Sequence, residues 1–181
     1  MQPRVPRTMR AMETMQRAVI LVGHGGIPKD LPYDLVMRLK RLEAARRTTG
    51  DAASPEEQEL NNRIRRWPRT PANDPYQAGL ERLAVHLRPR LNGVLFALAY
   101  NEFCAPTLDE AVEEMVKAGA RDITVLSSML TPGGSHAEVE IPETVRDLRA
   151  KYPAITLHYA WPFDLDLVAN MLAEHLQLFR S

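Results

Sequence analysis

Cysteine is nearly absent from this chain: among 181 residues only Cys104 is one. That excludes an intrachain disulfide and a zinc site built from several thiolates, and it makes a reducing compartment, by default cytoplasmic, the expected setting. Net charge is lacking as well, since 23 Lys and Arg balance 23 Asp and Glu. A neutral chain is not built to coat a polyanion, so no nucleic-acid partner is expected. No run of about 18 apolar residues occurs, and no membrane span is expected. The signatures GxxxxGK[ST] and GxGxxG are missing, which disfavours nucleotide binding, and there is no GxSxG elbow to supply a hydrolase serine. Residues 1–17 hold four arginines and one acid but no apolar core, unlike a signal peptide, and read as a flexible tail.

What the chain does have is a set of short apolar runs. Ala18 to Gly23, Gly93 to Ala99, Asp122 to Ser128 and Ala154 to Ala160 read as strands. The first three are near-continuous Val, Ile, Leu and Ala, as parallel strands covered on both faces require. Helical patterns separate them. In TLDEAVEEMVKAG, Leu108, Ala111, Val112, Met115 and Val116 form one apolar stripe; Thr107 and Glu110 make a capping box, and Gly119 offers a left-handed stop. Further helices are expected over Pro142 to Lys151 and Leu165 to Leu178, the latter with Leu167, Val168, Met171, Leu172, His175 and Leu176 on one side.

This order predicts a three-layer, flavodoxin-like α/β domain over 18–181, with a parallel sheet of about four strands. The first crossover is oversized. From about Ile27 to Pro89 it far exceeds the minimal 10–12 or so residues, and it reads as a helical insert, about 27–90, after the first strand. Tyr33 to Arg47 is helical in pattern; Ser54, Pro55 and Glu57 open a second helix; a third runs through Leu80, Leu83, Ala84 and Leu87.

In such sheets ligands collect beyond the carboxyl ends of the strands. His24 in GHGG, Glu102 in YNEFC and His136 in GGSHAEVEIP all fall there. Neutral imidazoles bind Zn, Fe, Co or Ni and also exchange protons near neutrality, and a carboxylate among them can orient a metal or accept a proton. Each residue also has a plainer reading: a turn histidine bonded to its loop, or an exposed loop acid. A helix starting near His136 puts Glu140 on its face at i+4, although Glu138 and Glu140 equally suit a helix dipole. Cys104 could pair with a histidine as a nucleophile or simply be packed. His86, His158 and His175 read as packed or surface residues.

The segment from Val94 to Arg149, together with AVILVGHGG, resembles the CbiX/SirB-type sirohydrochlorin chelatases of cobalamin and sirohaem synthesis. Family members carry GHGS after one strand, Phe-Leu-Glu before a Pro-Ser helix start after another, and a loop with Gly-x-His and Asp-Ile-Pro after a third. The corresponding residues here are His24, Glu102 before Pro106-Thr107, and His136 before Glu140-Ile141-Pro142; glycine replaces the GHGS serine, alanine 105 a frequent acid, and Glu140 an aspartate. The resemblance implies that His24 and His136, assisted by Glu102 and with Glu140 as a further ligand, hold an incoming divalent ion. The ion, cobalt, iron or nickel, is a substrate inserted into sirohydrochlorin or a related tetrapyrrole, and no nucleotide is needed. It further implies that Gly25, Gly26, Gly133, Gly134 and Ser135 line the substrate, and that a second copy can complete the cleft as a homodimer. Tetrapyrroles of this class carry many carboxylates, so Arg38, Lys40, Arg41, Arg46, Arg47, Arg63, Arg65, Arg66 and Arg69 of the insert are candidates for a basic wall, against solvated helix faces. A non-catalytic metal or tetrapyrrole carrier and a metallohydrolase with the same His/Glu ligands are the alternatives.

Overall fold

The structure is a computed structural model that describes residues 16–179. The expected tail lies outside these residues except for Gln16 and Arg17. Arg17 already belongs to the first strand.

Four parallel strands, β1 (Arg17–Gly23), β2 (Leu95–Tyr100), β3 (Asp122–Ser127) and β4 (Thr156–Tyr159), form one sheet in the order β2-β1-β3-β4. The helices are α1 (Tyr33–Thr49), α2 (Pro55–Arg65), α3 (Pro75–Leu87), α4 (Leu108–Lys117), α5 (Ile141–Lys151) and α6 (Leu165–Gln177). The element order and the α/β class are as the apolar pattern predicts. Strand ends differ by a residue or two: β2 begins at Leu95 because Gly93 sits in a turn with φ +77°, and β4 is a short edge strand.

β1 lies between two neighbours, so both of its faces need cover, and its RAVILVG run supplies apolar groups to each. Ala18, Ile20 and Val22 join Ile123, Val125 and Leu157 against α4 and α5. Leu21 points the other way, to Leu80 of α3, Tyr100 and Cys104. α4 buries Leu108, Ala111, Val112 and Met115 behind the complete Thr107/Glu110 capping box. Each of its larger side chains removes enough apolar surface from water to contribute roughly 1.5–3 kcal/mol.

Within the long first crossover, α3 is the helix that packs on the sheet. α1 and α2 share a small core of their own made of Leu35, Val36, Leu39, Leu60 and Ile64 with Leu31 and Phe103. Phe103 belongs to the loop after β2. Its ring therefore ties α1 and α2 to the carboxyl end of the sheet.

α6 departs from the expected three-layer packing. Asp164 caps it through Asp166 N and Leu167 N, and its apolar residues do fall along the helix, yet none is buried. Leu165, Leu167, Met171, Leu172 and Leu176 remain exposed. No helix among the described residues is long and apolar enough to cross a membrane.

Candidate metal centre

Strand register brings the three residues together. Gly23 is level with Tyr100, and Val22 with Ser127. The residues that follow are therefore neighbours, one strand spacing apart, about 4.8 Å. The ladder continues past the strands: Asn101 N donates to Gly23 O at 2.9 Å and Glu102 N to His24 O at 2.7 Å. The order reverses between β1 and β3, and there the loop after β3 swings His136 over the same edge. One ligand atom from each of His24, Glu102 and His136 lies within 4.8 Å of the other two. The imidazole centroids are 4.6 Å apart, with planes at 80°.

Hydrogen bonds decide which nitrogens are free. His24 Nδ1 lies 2.7 Å from the Gly25 carbonyl, which can only accept, so Nδ1 carries the proton and Nε2 keeps its lone pair. His136 opens a π-helical turn, His136–Glu140, that runs into α5. Its Nδ1 stands 3.0 Å from Glu140 Oε2, as the i+4 spacing predicts, and the Asn101 amide lies 2.9 Å from both atoms. Glu140 thus holds the back of the imidazole and sits outside the cluster of three. Burial would raise its carboxyl pKa, but the bonds from Asn101 and His136 more than offset this and hold it below the usual value. An ionised Glu140 receives Nδ1–H and leaves Nε2 of His136 free.

Glu102 is mostly covered, with 19% of its side chain exposed, and it is not alone. Lys40 of α1 reaches its Oε1 at 2.9 Å. Burial would lower the lysine's pKa, but hydrogen bonds to Glu102 and Glu43 outweigh it and keep the ammonium charged.

Arg65, the last residue of α2, and Arg69 beyond it grip the loops that carry His24 and Glu102. Arg65 donates to the carbonyls of Asn101 (2.8 Å) and Cys104 (3.0 Å). Arg69 donates to Gly26 O at 2.9 Å and to Phe103 O, and pairs with Asp74, whose side chain is 1% exposed. Asp74 also caps α3 through Gln77 N, and Tyr76 on that helix accepts the His24 N–H at 2.7 Å. Gly25 has φ +97°, and a Cβ there would lie 1.8 Å from the Glu102 carbonyl oxygen. Only glycine lets the two loops touch. At Gly26 a Cβ would meet Asp74 Oδ1 at 2.8 Å. These two glycines face protein, whereas Gly133 and Gly134 have open space about them.

Beside the cluster a cavity of ≈ 530 Å³ opens between α1 and the His136 turn, lined by Glu43, Arg46, Arg47, Asn101, Glu102, Ser135, Val139, Glu140 and Glu143. Of the nine basic candidates Arg46 and Arg47 line this space, beside four carboxylates, and Arg46 is paired with Glu57 at 2.9 Å. Arg65 and Arg69 hold backbone instead. A larger cavity, ≈ 590 Å³, lies under the β2 edge against α3 and includes none of the three residues. Cys104 is fully buried; burial pushes its thiol up to about 11, which Arg69 and Arg65 only partly counter. A thiolate nucleophile is ruled out there. His86 and His175 carry no part of the cluster, and His158 sits near Asp122 at the far end of the sheet. Sequence reading missed Asn101 and Asp74, and offered Lys40, Arg65 and Arg69 only as basic-wall candidates, not as the groups that pair with Glu102 and hold the loops. Only Asp74-Pro75, a helix-start pair, carried a local signal.

Two imidazole nitrogens and a carboxylate suit a divalent first-row transition ion, and comparison with known proteins narrows the setting. Residues 72–177 match the CbiX family model. The chain belongs to the CbiX family. The sirohydrochlorin ferrochelatase of Priestia megaterium is 27% identical over 100 residues, which cover 55% of this CbiX chain and 36% of the relative. That of Bacillus subtilis (strain 168) is 30% identical over 69 residues, 38% and 26% of the two chains. The matched stretches thus span about a third or less of these curated relatives. Among solved structures, SirB from Bacillus subtilis with Fe3+ aligns with a TM-score of 0.49 at 23% identity, over 86% of this chain and 44% of that one. A cobalamin (vitamin B12) biosynthesis CbiX protein from Marinobacter aquaeolei VT8 aligns at 0.49 and 19%, over 91% and 99%. Lys40, Arg65 and Arg69 all lie before the matched region.

Proposed function

We propose that this chain is a metal chelatase, inserting cobalt, iron or nickel into sirohydrochlorin or a related tetrapyrrole without nucleotide hydrolysis. The observation that carries the reading is the convergence of His24, His136 and Glu102 within 4.8 Å at the switch point of a CbiX-family sheet. Insertion requires three things: stripping water from the ion, presenting it to one ring face, and removing two pyrrole protons. The free Nε2 atoms of His24 and His136 hold the ion as neutral donors, which bind without trapping it. Glu102 balances its charge while it is held, and as the ion passes to the ring the two imidazole nitrogens that it leaves accept the two pyrrole protons. Glu140 and Asn101 fix the His136 ring, and Gly133, Gly134 and Ser135 form the open rim against which the macrocycle lies. Gly25 and Gly26 act from beneath, by letting the loops close.

The catalytic unit on this reading is one domain over 18–181, with its insert as a wall of the cleft. A second copy covers the exposed face of α6 and closes the cleft from outside, a homodimer. Substoichiometric protein mixed with metal-free sirohydrochlorin and Co(II) is expected to give many equivalents of the cobalt product, seen in the absorption spectrum. A carrier would stop at one equivalent or less, and that result would remove the enzyme reading.

A further inference from the structure

Lys40 is positioned as no simple surface lysine would be. Its Nζ lies 2.9 Å from Glu102 Oε1, 3.1 Å from Glu43 Oε2 and 4.8 Å from the centre of the Phe103 ring. One of its two carboxylates belongs to the cluster of three; the other stands one helical turn along α1, on the wall of the adjoining cavity. A lysine has a flexible stem and three donors, so it can give up one acceptor and keep the other by rotating side-chain bonds, with no movement of α1. A dication next to Glu102 would repel the ammonium directly, and Glu43 is where the ammonium can go.

We propose that Lys40 is a displaceable counter-cation of the metal site, holding the Glu102 carboxylate until a divalent ion takes it and resting on Glu43 while the ion is bound. The inference depends on the chelatase reading and adds to it a device for release. A site that must hand its ion to a macrocycle gains from an internal competitor that returns to the carboxylate as the ion leaves. Phe103 keeps the ammonium near through that exchange, since a ring face attracts a cation. The insert is then part of the metal chemistry as well as a wall. α1 precedes the family-matched region, as β1 and His24 do.

Equilibrium Co(II) affinity of the full chain, measured by competition with a chromophoric chelator, tests it. Lys40→Met keeps the apolar stem on Phe103 and is expected to bind Co(II) about fivefold more tightly, the factor that releasing one partly covered ion pair supplies. Lys40→Arg, which keeps the charge, is expected to show no such gain. Glu43→Gln is expected to bind more weakly than wild type, because the lysine has lost its second seat, and the double variant Lys40→Met/Glu43→Gln is expected to lose that penalty. The opposite signs alone would follow from any change of charge beside a dication; the loss of the Glu43→Gln penalty once Lys40 is Met is what a merely structural lysine would not produce. If Lys40→Met binds no tighter than wild type while His24→Ala still weakens binding, the counter-cation is overturned and the metal site stands. Binding that ignores both His24→Ala and His136→Ala overturns the two together.

Discussion

His136 is aimed by its neighbours. On a loop of glycines its ring would turn freely, yet Glu140 takes Nδ1–H at 3.0 Å and the Asn101 amide braces that carboxylate at 2.9 Å. Carboxylates behind a ligating imidazole fix its tautomer and raise its basicity, and their removal typically costs about 10–100-fold in metal affinity. Glu140→Ala is therefore expected to weaken Co(II) binding by about tenfold or more while the chain stays folded, as calorimetric titration and a melting curve would report. Unchanged affinity would show that the ring needs no support. At this scale the sequence was legible for His24, Glu102, His136 and Glu140, because each follows a strand or sits at fixed helical spacing. Lys40 was readable only as one of nine basic residues. Nothing local marks the single cation whose helix passes over Glu102.

At the scale of elements, buried polar bonds from the segment after α2 fasten the ligand loops, alongside the apolar packing of Phe103 on α1 and α2. Arg69 and Asp74, with side chains 6% and 1% exposed, join the insert, the start of α3, the Gly26 turn and the Phe103 carbonyl in one network. Truncating one member of a buried pair leaves the other charge uncompensated, at a typical cost of about 3–5 kcal/mol. Arg69→Met is expected to lower stability by that amount in urea denaturation; a loss below about 1 kcal/mol would show that the network is dispensable. Strands and α4 were legible because their signals are local: apolar runs, a capping box, a stop glycine. The insert's grip on the ligand loops was not, since Arg65 meets Asn101 and Cys104 across 36 and 39 residues of sequence. The same gap hid what the basic side chains do: Arg65 and Arg69 are spent on carbonyl oxygens, while Arg46 and Arg47 line the cavity.

For the whole molecule, the carboxyl edge of the sheet and the apolar face of α6 are open to partners among the described residues. Leu167, Met171, Leu172 and Leu176 lie exposed along that helix, a continuous stripe larger than scattered surface residues require. On the proposed homodimer this stripe is buried, so Met171→Glu/Leu172→Glu is expected to convert a dimer to a monomer in light scattering. A wild-type monomer at micromolar concentration would contradict it. The fold class followed from strand order alone, but the unburied α6 did not, because a helix's stripe shows that it seeks a partner without saying which. The most direct test of the account is the rate of Co(II) insertion into sirohydrochlorin, followed spectroscopically for wild type, His24→Ala and His136→Ala beside the uncatalysed reaction. The expected result is acceleration by wild type and none by either folded variant; equal rates in all four samples, or a variant as fast as wild type, would contradict it.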